Sequence, residues 1–91
     1  MIPYGRQSVD DDDIAAVVAV LKGDWLTQGP AVAAFEAALA ATVGARHAVA
    51  FSNGTAALHG AVAAAGLGTD SIVATSPLSF VASANCARYL G

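Results

Sequence analysis

"HAVAFSNGTAALHG", residues 47–60, decides how the rest of the chain is read. Its first six residues are a short, nearly continuous apolar run bounded by Gly44 and by Asn53-Gly54. That pattern predicts a buried β-strand. From Thr55 to about Ala65 the sequence becomes alanine-rich and predicts a helix that starts directly at the turn. A helix start carrying a glycine, a hydroxyl and small side chains leaves backbone N–H groups open to an anion. A plain turn with a helix N-cap explains "SNGT" equally well, and local spacing does not separate the two readings.

Working outward, Ser71–Pro77 ("SIVATSP") reads as a second strand and Phe80 to about Leu90 as a helix after it. On the N-terminal side, Ile14, Val17, Val18 and Leu21 recur at i, i+3, i+4 and i+7, behind an acidic start at Asp10–Asp13 and before a stop at Gly23. Ser8 and Asp11 resemble a capping pair for that helix. Pro30 opens a further helix whose stripe Val32, Phe35, Leu39 and Val43 is expected to be buried and which ends at Gly44. The predicted order is α-α-β-α-β-α, an α/β architecture of parallel strands with flanking helices.

Ligands in open α/β sheets sit beyond the carboxyl ends of strands. Two such ends carry unusual residues here, Ser52-Asn53-Gly54-Thr55-Ala56 and Pro77-Leu78-Ser79-Phe80. The first suits a phosphate monoester, and Phe80 offers a flat apolar face for an aromatic ring. Pyridoxal 5'-phosphate and a nucleotide both answer that description. No P-loop pattern is present, and Gly66-Leu67-Gly68 follows a predicted helix rather than a strand, which argues against a dinucleotide fingerprint.

Composition limits the alternatives. With 91 residues, 56% hydrophobic and 12% charged, the chain is one domain or part of one and is not of the disordered class. Such a composition suits a buried part of something larger. Its four basic residues (Arg6, Lys22, Arg46, Arg88) are scattered and the net charge is -3, which argues against nucleic-acid binding. The single Cys86 rules out an intrachain disulfide and reads as a small buried hydrophobe. With no secretory signal and no apolar run long enough to span a bilayer, a soluble, cytoplasmic protein is expected, with no membrane partner. His47 and His59 have no second ligand at metal-binding spacing, and Asp10–Asp13 lacks the glycine and terminal glutamate of a calcium loop. Trp25 serves equally well as an interface anchor or as cover for the core.

Four blocks, "IPYGRQSV", "DWLTQGPAVAAFEAALA", "GARHAVAFSNGTAALHGA" and "TSPLSFVASANCARYLG", resemble the N-terminal quarter of DegT-type sugar aminotransferases, fold type I enzymes dependent on pyridoxal phosphate. The resemblance implies that residues 1–91 form an N-terminal fragment of the large domain of such an enzyme. It further implies that Gly54, Thr55 and Ala56 cradle the cofactor phosphate and that Phe80 stacks on the pyridine ring. Tyr4 and Thr27 are implied near the nucleotide-sugar site, and Ser79 stands where relatives commonly carry threonine. Complete relatives move an amino group from L-glutamate to a 4-keto nucleotide sugar, here resembling most the members that act on a 4-keto-6-deoxy UDP-sugar in a pseudaminic-acid-type pathway, and they form homodimers.

The lysine that binds the cofactor covalently and the acidic partner of the pyridine nitrogen lie beyond position 91 in that family. Lys22, the only lysine, lies on the polar side of the first helix with nothing to make it a nucleophile. No catalytic residue is therefore expected within the chain, and the fragment alone is expected to be inactive. In the family the two strands represented here are separated by strands that come later in sequence. The alternative reading is a non-catalytic α/β module that binds a phosphate ligand or docks onto a partner.

Overall fold

A computed structural model describes residues 5–91. Its regular elements are four helices, α1 (Asp11–Leu21), α2 (Pro30–Val43), α3 (Gly54–Ala64) and α4 (Ala82–Arg88). The chain divides into two units, Met1–Ala48 with α1 and α2, and Val49–Gly91 with α3 and α4.

In the first unit, the helix limits follow from end chemistry. Asp10 has extended backbone angles and its carboxylate accepts from the Asp13 N–H at 3.0 Å, while the Asp10 N–H donates to Asp13 Oδ2 at 3.1 Å. This reciprocal box replaces the Ser8–Asp11 pair expected from the sequence. It fixes both N–H groups and leaves Asp11–Asp13 in the first turn, where the helix dipole favours negative charge. Pro30 occupies the first turn of α2, where a missing N–H costs nothing. Gly44 ends it with φ +68°, and the Ala45 N–H reaches back to Ala40 O at 2.9 Å. Gly44→Ala forces a side chain into the left-handed region and is expected to cost about 1 kcal/mol, read as a lower urea midpoint by far-ultraviolet circular dichroism. Gly29 is also fixed by space: a Cβ there would lie 2.7 Å from Trp25 Cβ. Gly29→Ala should displace the only tryptophan, which its near-ultraviolet dichroism would report.

The one buried residue of α2 is not one of its bulky side chains. Ala40 is 8% exposed and shares a cleft with Ala33, Ala37, Arg46 and His47, so the chain leaving Gly44 returns along the alanine side. The stripe expected to be buried faces outward, with Phe35 57% exposed and Val32, Leu39 and Val43 also exposed. Ile14, Val17, Val18 and Leu21 of α1 are exposed as well.

In the second unit α3 and α4 pack against each other. Ala82 and Cys86 are buried there, Cys86 at 3% exposure, and the His59 ring meets Tyr89 edge-on with centroids 5.3 Å apart. Gly60 admits Phe51 from the preceding segment, since a Cβ would fall 2.6 Å from the tip of that ring.

The expected α/β fold is corrected by this architecture, because the described residues contain no strand. Residues 47–51 and 71–76 lie outside any helix, yet neither joins a β-ladder. A parallel pair requires adjacent partners and cover on both faces. Neither condition holds: Val49 and Phe51 are exposed and Ile72 is 98% exposed. An apolar run supplies the side chains of a strand but not its neighbours.

The same shortage shows in the total surface. The chain exposes 7904 Å². A folded monomer of 9.0 kDa exposes about 4,900 Å², and two separate units of half that mass about 5,900 Å² in total. An excess of about 2,000 Å² remains even for two independent units.

Candidate functional site

The site is built at the start of α3. Asn53 has extended angles and its Oδ1 accepts from the Ala56 N–H at 2.9 Å, while its Nδ2 donates to Ser52 Oγ at 3.2 Å. The first helical bond runs from the Ala57 N–H to Asn53 O at 3.1 Å. The N–H groups of Gly54 and Thr55 therefore keep no partner among the described residues, as expected for the first two positions of a helix. The N-cap and the open cradle are thus one arrangement in which Asn53 takes the third N–H and leaves two.

The second turn is held differently. Leu78 N–H donates to Ser76 Oγ at 3.2 Å, and Ser83 donates to Phe80 O through its N–H at 3.0 Å and its hydroxyl at 2.8 Å. These bonds tie Phe80 to the entry of α4 and leave its ring 75% exposed. Because α3 packs on α4, the two turns share a solvent-open cavity of 340 Å³. Gly54, Thr55, Leu58, Ser79, Phe80 and Ser83 line it, together with Ala82.

Three of the sequence-derived residues, Gly54, Thr55 and Phe80, therefore meet without any intervening sheet. Ala56 does not line the cavity and its N–H is committed to Asn53. Thr27 is exposed in the first unit, and Tyr4 lies outside the described residues. Lys22 caps the C-terminus of α1, exposed, and is also in the first unit. Sequence reasoning passed over Leu58 and Ser83. Their signal was spacing: Leu58 follows Thr55 by three residues and Ser83 follows Phe80 by three, which sets each pair on one side of its turn.

Chemically, the cavity pairs two N–H donors at the positive end of a helix and the Thr55 hydroxyl with the apolar surfaces of Leu58 and Phe80. An anion joined to a flat apolar body is the ligand chemistry that such an arrangement would suit. Among the described residues no group of His, Cys, Asp or Glu is placed to hold a metal ion, and no helix is long and apolar enough to cross a membrane.

The family model for the DegT/DnrJ/EryC1/StrS aminotransferase family matches residues 7–91. The chain is 42% identical over 90 residues to the spore coat polysaccharide biosynthesis protein SpsC of Bacillus subtilis (strain 168), covering 99% of this chain and 23% of that protein. It is 43% identical over 91 residues to the UDP-4-amino-4,6-dideoxy-N-acetyl-beta-L-altrosamine transaminase of Campylobacter jejuni subsp. jejuni serotype O:23/36 (strain 81-176), covering all of this chain and 24% of that one. The UDP-4-amino-4-deoxy-L-arabinose--oxoglutarate aminotransferase of Shewanella sediminis (strain HAW-EB3) is 36% identical over 90 residues, 99% of this chain and 23% of that protein. The chain spans about a quarter of the length of these relatives. No solved structure matches it.

Proposed function

The chain belongs to the DegT/DnrJ/EryC1/StrS aminotransferase family, and we propose that it is the cofactor-phosphate-binding N-terminal portion of a nucleotide-sugar aminotransferase. In this reading the complete enzyme is a homodimer that passes an amino group from L-glutamate, by way of pyridoxal 5'-phosphate, to a 4-keto-6-deoxy UDP-sugar. The observation that carries the reading is the meeting of Gly54, Thr55 and Phe80 in one cavity. The activity for which the Campylobacter relative is named supports the substrate class.

The residues present fit the cofactor in charge and shape. A phosphate monoester matches the Gly54 and Thr55 N–H groups and the Thr55 hydroxyl, and the positive end of α3 favours its charge. Phe80 offers a ring face and Leu58 an apolar wall, which in this reading orient the pyridine ring. When bound, the cofactor supplies the carbonyl that takes up the amino group and a ring that withdraws electrons from it. In this reading Gly54 and Thr55 anchor the phosphate, Phe80 fixes the ring plane and Asn53 holds the turn. No lysine lines the cavity, so nothing in it moves the proton that amino transfer requires. Ser79 and Ser83 contribute neutral hydroxyls, which position rather than protonate.

Equilibrium dialysis tests this reading. Pyridoxal 5'-phosphate should be retained by the chain at least about tenfold better than pyridoxal, with inorganic phosphate displacing it, because about 1.4 kcal/mol is what one charge-assisted hydrogen bond contributes. Equal retention of the two vitamers would defeat the phosphate assignment.

A further inference from the structure

We propose that the cavity between residues 67–75 and the end of α4 is a binding site for a small carboxylate with a short apolar stem, and that Arg88 takes its charge. The site is independent of the cofactor reading, since this cavity shares no lining residue with the one that joins Gly54, Thr55 and Phe80. Three observations carry it.

First, the polar side chains of the cavity are donors. Arg88 is the one charged residue in its lining, and Thr69, Ser71 and Thr75 bring hydroxyls. One hydroxyl is fixed by the turn that precedes it: the Ser71 N–H donates to Gly68 O at 2.9 Å, and the Gly68 N–H donates to Ser71 Oγ at 3.1 Å. A hydroxyl oxygen that already accepts a bond keeps its own O–H to donate. Asp70 stands between two lining residues in sequence, but it is exposed and does not line the cavity. No carboxylate within the cavity therefore competes for the guanidinium.

Second, the remaining side chains are apolar. Leu67, Val73, Ala84 and Ala87 supply them, with Leu67 and Ala87 half-buried. A bare inorganic anion meets only the polar half of this lining, whereas an alkyl stem covers the other half. Third, the shape suits one small acid. The volume of 290 Å³ lies below the sites that enclose drug-sized ligands, and a single guanidinium is a planar fork that matches one carboxylate edge.

Arg88 also stands in the last turn of α4, where a cation suits the helix dipole. That dipole amounts to about half a charge, less than the guanidinium carries, and water and salt screen both at an exposed site. Attraction is therefore a contact effect, and the expected dissociation constant is roughly millimolar.

The test titrates 15N-labelled chain with sodium butyrate and follows the arginine Nε–H resonances together with the backbone amides. Arg88 Nε–H and the Ser71 amide should shift in one saturable transition while Arg6 and Arg46 stay still. Butyramide, which keeps the shape without the charge, should bind at least about tenfold more weakly, and acetate, two methylenes shorter, about fourfold more weakly. Arg88→Gln should abolish the Ser71 shift with helical content unchanged by circular dichroism. Should Arg88→Gln fray α4, Arg88→Lys keeps the charge of the last turn and decides in its place, with an expected loss of at least about threefold because the fork is gone. Thr55→Glu should leave the butyrate shifts as they are. Parallel shifts of all three arginines would mean general ion pairing and overturn the proposal. So would butyramide equal to butyrate, inorganic phosphate binding at Arg88 as tightly as butyrate, or an Arg88→Lys chain that binds like the parent. Failure to retain pyridoxal 5'-phosphate, with the butyrate shifts intact, would defeat the cofactor reading and leave this site standing.

Discussion

Thr55→Glu should lower retention of pyridoxal 5'-phosphate close to a hundredfold while leaving the helical content of the chain unchanged. The change removes the hydroxyl at the second position of α3, one of three donors the cavity offers a phosphate, and sets a carboxylate against a dianion. Loss of a hydrogen bond to a charged group and like-charge repulsion at a solvent-facing site together come to about 2.5 kcal/mol. The helix itself gains, because a glutamate in the first turn suits the dipole. Circular dichroism and cofactor dialysis on the same sample therefore separate the two effects. A fall in both would mean that Thr55 supports the fold rather than the ligand, and a fall in neither would remove Thr55 from the cradle.

The second expected result is an absence of turnover. Supplied with pyridoxal 5'-phosphate, L-glutamate and a 4-keto nucleotide sugar, the chain alone should form no 2-oxoglutarate above the rate of free cofactor. Borohydride reduction followed by peptide mass mapping should find no cofactor joined to Lys22. That lysine is exposed at the C-cap of α1, where nothing desolvates its amine, and the cavity holds no lysine of its own. A covalent adduct at Lys22 at stoichiometric cofactor, or glutamate-dependent turnover that Lys22→Arg abolishes, would show that the chain carries its own catalytic amine.

The helix ends were legible in the sequence because they depend on nearest neighbours. Pro30 and Gly44 bracket α2 at the residues expected, the acidic run opens α1, and Asn53-Gly54 opens α3 within one residue of its expected start. Ser8 competed with Asp10 for the first cap and lost, since Asp10 and Asp13 satisfy each other's N–H groups. The strands were not legible in this sense: residues 47–52 and 71–77 have strand composition, but a ladder is a property of several segments at once. The buried side of α2 was misjudged for a related reason. Side-chain size marks which stripe gains most from burial, whereas the one α2 residue that is buried is the small Ala40.

Loss of the expected sheet does not separate the two turns that the sequence singled out. Gly54, Thr55 and Phe80 were chosen for open N–H groups, a hydroxyl and a flat ring, and α3 packing on α4 is enough to bring them into one cavity. Ala56 was chosen as a third main-chain donor, and the structure commits that N–H to Asn53. An N-cap side chain competes with a ligand for the same helix N–H groups, and the type of residue 53 alone does not say how many it takes.

The amide spectrum of 15N-labelled chain titrated with pyridoxal 5'-phosphate asks the question at single-atom resolution. The Gly54 and Thr55 N–H resonances should move downfield together and saturate at one equivalent, with the Ala56 N–H, already bonded to Asn53, nearly still and pyridoxal producing no such shift. Binding of the phosphorylated cofactor that leaves Gly54 and Thr55 unmoved would place the anion elsewhere and end the account.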